Sequence, residues 1–228
     1  MDKQTIQGFK RYGSYEPSRT GLLLVDPYND FIHPDGKSFP KAKEVIEGVH
    51  LLDNLRRIVK KARELSIQVF YVPHHRTSPG DLADWKYPTP GQLSTVERLV
   101  FQRGSWGGEF HADFQPQPGD VIVQEHFGQS GFANTDLDRL LKQHDVDKII
   151  LIGMLANSCI ESTGRFGMEL GYHVTLVKDA TAAFGWDLMH AAHDLNGPTF
   201  AHAIMTSDEL LDILQGKPIP VEEAVNAK

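Results

Sequence analysis

The sequence predicts an α/β fold with a parallel sheet and helices on both faces. Three observations carry that expectation. Short unbroken apolar runs recur along the chain, as strands buried on both sides require. Segments with apolar residues three and four apart lie between them, as amphipathic helices require. Polar residues that can do chemistry follow the runs directly, at the edge where open parallel sheets bind ligands.

The runs come in order. Residues 21–25 (GLLLV) and 67–72 (IQVFYV) are the first two predicted strands. The third is residues 121–123 (VIV), with an extension towards His126 left open, and the fourth is residues 148–153 (KIILIG). Two weaker runs, residues 173–177 and 201–206, complete the set. Helical spacing covers residues 41–65 through Val45, Val49, Leu52, Leu55 and Val59. A second helix is expected over residues 135–144, capped by Thr135 or Asp136, and a third over 159–170, closed by Gly171. The last is expected over 207–215, with Ser207 as its cap and Glu209 in its first turn. Residues 77–119 differ, being rich in Gly and Pro yet carrying Trp85, Tyr87, Trp106, Phe110 and Phe114. A loop region that long inside a compact domain is usually functional, and its aromatics predict that it is ordered. Residues 222–228 read as a frayed tail.

Length and composition narrow the function. At 228 residues, one compact domain is the default and two small ones the alternative. The 23 basic and 30 acidic residues leave a net charge of −7, which argues against generic nucleic-acid binding. No apolar stretch approaches the roughly 20 residues of a membrane span. The polar N-terminal segment lacks a secretory signal core. The single cysteine, Cys159, excludes an intramolecular disulfide and a cysteine-rich zinc site within one chain. A reducing, cytoplasmic setting is therefore expected.

Acid, imidazole and thiol gather at the predicted strand ends. The first strand ends in Asp26, the second in His74, His75 and Arg76, the third near Gln124, Glu125 and His126, and the fourth runs on to Asn157, Ser158 and Cys159. A cysteine that opens a helix directly after a strand faces unpaired N–H groups, which stabilise a thiolate or an oxyanion. Most single cysteines are small buried hydrophobes, but this position favours a nucleophile, with Asp26 and His126 as candidate base or counter-charge. Asp26-Pro27 reads equally well as a turn signal. His190 and His193 have metal-compatible spacing, yet surface or interface histidines are the better reading.

Three blocks carry a family resemblance. Residues 22–31 (LLLVDPYNDF), residues 101–141 (FQRGSWGGEF through GQSGFANTDLDRLL) and residues 149–184 (IILIGMLANSCIESTGRFGMELGYHVTLVKDATAAF) resemble, in the same order, the motif blocks of the isochorismatase-like cysteine hydrolases. The resemblance spans residues 20–214. It implies a three-layer Rossmann-like fold with a six-stranded parallel sheet, a single domain with its core over about residues 18–216, and hydrolysis of an amide or related C–N bond. It implies a catalytic aspartate at Asp26 and a nucleophile at Cys159. It also implies a non-proline cis peptide, expected at Leu155–Ala156, and an oxyanion hole from the amides of Ala156 and Cys159.

The departure lies at the family's lysine. Its position, four residues before the serine of Ser130-Gly131-Phe132, holds His126. The implied triad is thus Asp26–His126–Cys159, with Gln124 and Glu125 as alternatives in a shifted register. In the mechanism so implied, Asp26 takes the thiol proton, His126 positions or relays it, and either protonates the leaving nitrogen. Trp85, Tyr87, Trp106, Phe110 and Phe127 are expected to wall a pocket for a planar or apolar substrate. Tyr28, His75, Arg76, Gln129 and Asn157 are candidate substrate-orienting groups. Some family members hold a metal through an aspartate and histidines after the first strand. No Asp-x-His segment stands there and His33 lacks clear partners, so no catalytic metal and no cofactor is expected. The expected partner is a small-molecule substrate, with no nucleic acid and no membrane, and the family implies a homodimer or homotetramer. The rivals are a vinyl-ether hydrolase of isochorismatase type, which dispenses with the cysteine, and a ligand-binding protein on a retired scaffold.

Overall fold

The run around Leu22 forms strand β1 (Thr20–Val25), buried at all six positions. It lies at the middle of a six-stranded sheet, between β2 (Gln68–Val72) and β4 (Lys148–Met154). β3 (Val121–Ile122) flanks β2, while β5 (His173–Ala182) and β6 (Ala203–Met205) extend the other side, and every pairing is parallel. The computed structural model describes residues 14–216, so most of the N-terminal segment and the expected frayed tail lie outside the described residues. Side-chain alternation divides the core in two. Leu22, Leu24, Tyr71, Ile150 and Ile152 pack under one helix layer, and Leu23, Val25, Phe70, Ile149 and Leu151 under the other.

The helices in chain order are α1 (Asn29–Ile32), α2 (Phe39–Gly48), α3 (Leu51–Glu64), α4 (Pro90–Glu97), α5 (Leu137–Gln143), α6 (Glu161–Glu169), α7 (Trp186–His190) and α8 (Ser207–Leu214). Four differ from expectation. The helix expected over 41–65 is two, broken where His50 takes a left-handed φ of 54°. The Trp186 ring packs so closely on Gly48 that a Cβ there would collide with it. The Asn54 amide donates to the Val49 carbonyl at 2.9 Å, giving a carbonyl at the break its partner. The third expected helix begins two residues later than predicted, because residues Ala156–Ile160 form a wider π turn before α6. α8 is capped by Thr206, not Ser207: the Thr206 hydroxyl and Glu209 form a reciprocal capping box, while the Ser207 hydroxyl donates to Asp179 at 2.8 Å. Within residues 77–119 stands α4, opened by a second such box from Thr89 and Gln92. The cis peptide is Met154–Leu155, one bond before the expected place.

Gly153, at the carboxyl end of β4, has a φ of +116°, and a Cβ there would collide with the Val25 carbonyl oxygen. Glycine alone fits where β1 and β4 approach beside the site.

His193, in the π turn Ala191–Asn196, is 4% exposed and lies 2.8 Å from the Thr181 hydroxyl through Nε2. Its Nδ1 is buried without a partner, so the neutral ring is the form that fits. Burial lowers its pKa to about 4. The unfolded chain, with an ordinary histidine near ~6.5, binds a proton that the folded chain refuses. This contribution to stability is therefore complete above about pH 6.5 and is lost as pH falls, by about 2 kcal/mol at pH ~5. Urea midpoints at neutral pH and near pH 5 should converge in His193→Gln relative to the parent; equal shifts in both proteins would remove His193 as the cause.

Candidate active site

The carboxyl ends of the central strands place the predicted residues together. Asp26 follows β1 directly and takes a left-handed φ of 52°, a conformation costly for a side-chain-bearing residue and frequent at functional sites. His126 follows β3 and is fixed by an isolated parallel bridge to His74, so the strand extension left open in the sequence amounts to that single bridge. Its amide donates to the Pro73 carbonyl, and its carbonyl accepts from His75, each at 2.9 Å. Cys159 sits in the π turn after β4, on the same helix layer as Val25 and Val72.

One carboxylate oxygen of Asp26, a ring nitrogen of His126 and Sγ of Cys159 lie within 4.8 Å of one another. Asp26 and His126 are fully buried, and Cys159 is 6% exposed. His126 Nε2 stands 3.1 Å from Asp26 Oδ1, and its Nδ1 stands 2.9 Å from the Gly128 carbonyl oxygen. Asp26 Oδ1 also accepts the His74 backbone N–H at 2.6 Å. A carbonyl and a carboxylate both accept, so both ring nitrogens of His126 carry protons. Burial opposes that charge, but the Asp26 field and hydrogen bond, with the Gly128 carbonyl, outweigh it and hold the imidazole above its ordinary value. Both contacts favour the imidazolium, a positive charge at the lysine's place. The thiol is the reverse case. Burial and then the Asp26 charge push Cys159 well above an ordinary thiol, so it rests protonated beside a carboxylate. Asp26 Oδ2 is buried with no hydrogen-bond partner.

A cavity of about 500 Å³ opens onto Cys159. His75, Phe127 and Gln129 line it as expected, and so do Phe31, Phe101, Leu155 and Phe184, which sequence reasoning did not single out as site residues. Phe31, in α1, and Phe184, just past β5, bring their rings within 6.5 Å, a pairing that no sequence spacing encodes. Lys41 and Arg98 also line the cavity, and no carboxylate does.

The other expected pocket residues lie elsewhere. Tyr28 is core, stacked on Phe101 at 4.8 Å with its hydroxyl donating to the His74 carbonyl. Phe110 packs on Tyr28 and Tyr71 and lines a separate hollow with Arg76. Trp85 lies outside the cavity wall, stacked on Phe127 at 5.1 Å, and Phe127 in turn stacks on His75 at 4.2 Å. Tyr87 is 79% exposed. Trp106 packs edge-on against His33, whose Nδ1 accepts from the Asp35 amide. Asn157 is outside the cavity lining, which takes its neighbour Ser158 instead. Glu125 faces away from the triad. Although burial works against its charge, hydrogen bonds from His75 and from Arg76 hold its carboxyl well below the usual range. With Arg103 also on Glu125, this network ties residues 77–105 to the strand ends. Gln124 donates its amide to Asp136. Of Gln124, Glu125 and His126, His126 alone lies beside Asp26 and Cys159.

Fold and site together define a parallel α/β protein with a buried acid–imidazole–thiol group at its switch edge. The Isochorismatase domain model matches residues 20–208, and the chain belongs to the isochorismatase family. The ureidoacrylate amidohydrolase RutB of Caulobacter segnis is 25% identical over 202 residues, covering 84% of each chain. A cysteine hydrolase structure from Pseudomonas syringae pv. phaseolicola superposes with a TM-score of 0.74 at 28% identity, covering 90% of this chain and 96% of that one. The N-carbamoylsarcosine amidase of Thermoplasma acidophilum gives 0.62 at 26% identity, covering 84% and 98%.

Proposed function

We propose that this protein is a cysteine amidohydrolase that cleaves a non-peptide C–N bond in a small ureido or carbamoyl compound. The observation that carries the reading is the buried Asp26–His126–Cys159 group, of which Cys159 lines the cavity. Asp26 Oδ2 takes the thiol proton as Sγ attacks the substrate carbonyl carbon, and the carbonyl electrons move onto oxygen. Backbone N–H groups of the turn that carries Cys159, which with Leu155 and Ser158 lines the cavity, hold that oxyanion; Ala156, on the other core layer, does not line the cavity. The C–N bond then breaks, and the nitrogen leaves with the proton from Asp26. Water, deprotonated by Asp26, attacks the resulting S-carbamoyl thiocarbamate and releases a carbamic acid, and the departing thiolate recovers its proton from Asp26. The His126 imidazolium keeps the carboxylate in place and offsets the negative charge that the thiolate brings into a buried site.

Three things favour a ureido or carbamoyl substrate with an anionic end. The relatives are named for ureidoacrylate and N-carbamoylsarcosine. The cavity is walled by Phe31, Phe101, Phe127 and Phe184, and the fixed charges among its described lining residues are the cations Lys41 and Arg98. In a protein of net charge −7, a cavity with no carboxylate among its described lining residues suits an acid. No helix of the described residues is long and apolar enough to cross a membrane, and we place the enzyme in the cytoplasm as a homodimer or homotetramer.

The test is intact-protein mass spectrometry with product assay, over a panel of amides, ureas and carbamates with and without a carboxylate. Wild type should form an adduct or product, fastest with the carboxylated ureas, and Cys159→Ala should form neither. Turnover that survives in Cys159→Ala would favour the vinyl-ether reading. An inert thiol and no turnover would favour a retired, ligand-binding scaffold.

A further inference from the structure

A lysine ammonium does not coordinate metals in its charged state, whereas an imidazole does. Replacing the family's lysine by His126 therefore changes what the three residues can hold. Asp26, His126 and Cys159 offer oxygen, nitrogen and sulfur, the ligand types of zinc, from atoms within 4.8 Å of one another. Around a tetrahedral zinc ion such atoms stand about 3.3–3.6 Å apart, so the longest separation closes by about 1 Å. Two further features fit. Asp26 Oδ2 is fully buried and has no hydrogen-bond partner. His126 Nδ1 is bonded to the Gly128 carbonyl, which leaves Nε2 facing the other two groups. That outer hydrogen bond is the one that orients metal-ligating histidines.

We propose that Asp26, His126 and Cys159 form a reversible inhibitory site for Zn²⁺. On binding, one proton leaves Nε2 and one leaves Sγ, and the ion bonds to Nε2, Sγ and the Asp26 carboxylate. The fourth position opens to the cavity and takes water. The lone pair that would attack the substrate is then held by the ion, so the hydrolase stops. The effect on turnover rests on the proposed cysteine mechanism. The binding itself does not.

The experiment uses the full chain with Co²⁺ and Zn²⁺ as probes, in a non-chelating reductant. Wild type should bind one Co²⁺ per chain with a thiolate-to-cobalt charge-transfer band. Zn²⁺ should displace it, slow iodoacetamide labelling of Cys159, and be removed by chelator with labelling restored. Cys159→Ala should show no band. His126→Lys and His126→Gln, checked for folding by circular dichroism, should each weaken binding on the order of 100-fold or more, since loss of even an outer-shell partner costs about 10–100-fold. A wild-type protein that binds no Co²⁺, or a band that persists in a folded His126 variant, overturns the site. A site that binds while added Zn²⁺ raises turnover overturns its inhibitory role. No turnover with any panel substrate, beside an intact band, defeats the proposed function and leaves the site standing.

Discussion

Asp26→Asn should lower kcat by roughly 10²–10⁴-fold, the range that a positioned general base contributes. The argument is atomic. Oδ1 already accepts from the His74 amide and from His126, and an asparagine oxygen can keep the His74 contact. The change falls on Oδ2, the buried oxygen without a partner, which becomes an amide nitrogen. That nitrogen cannot take the proton of a thiol whose environment holds it in its neutral form. The same substitution removes the anion that sustains a buried imidazolium, so His126 sheds a proton and the site loses both charges together. Thermal unfolding should change far less than kcat. Turnover within tenfold of the parent would show that Asp26 does not move the proton, and the base would have to be sought elsewhere.

Parallel strands buried on both faces leave a continuous apolar mark, which is why β1, β2 and β4 were legible to within a residue or two. The triad was legible for a related reason. Each member sits at a fixed offset beyond a strand, and topology carries strand ends to one edge. Features that depend on tertiary contact were not. The three- and four-residue spacing continues from Val45 through Val59, and nothing local reports the left-handed turn at His50 or the Trp186 ring that covers Gly48. Ser207 and Thr206 are equally good caps by composition, and the choice was made by Asp179 claiming the serine.

The pocket wall was the least legible part. Trp85, Tyr87 and Trp106 are large aromatics in a loop-rich segment, yet Trp85 backs the wall through Phe127, Trp106 packs on His33, and Tyr87 is open to solvent. The lining rings Phe31, Phe101 and Phe184 come from three distant segments. Phe101 is positioned by its own amide, which donates to Asp30 at 2.7 Å, a contact across 71 residues that no periodicity announces.

His126 carries the second large effect, and its variants separate charge from chemistry. His126→Ala leaves the Asp26 carboxylate buried without its cation, and removing one partner of a fully buried pair costs about 3–5 kcal/mol. Turnover should fall with it, because a negative thiolate must then form beside an uncompensated negative carboxylate. His126→Lys restores a fixed positive charge. Its ammonium can donate to Asp26 and to the Gly128 carbonyl, the two acceptors that the imidazolium now serves. The lysine variant should therefore recover most of the lost stability, to within about 1–2 kcal/mol of the parent, and turnover within about tenfold. His126→Gln, which donates without charge, should keep the fold better than alanine and yet lose turnover as deeply. Denaturant unfolding and kcat measured side by side on the three variants decide the matter. A glutamine variant as active as the lysine variant would mean that His126 serves as a hydrogen-bonding spacer. A lysine variant as inactive as alanine would mean that the imidazole itself handles the proton, and the mechanism would pass from Asp26 alone to Asp26 and His126 in relay.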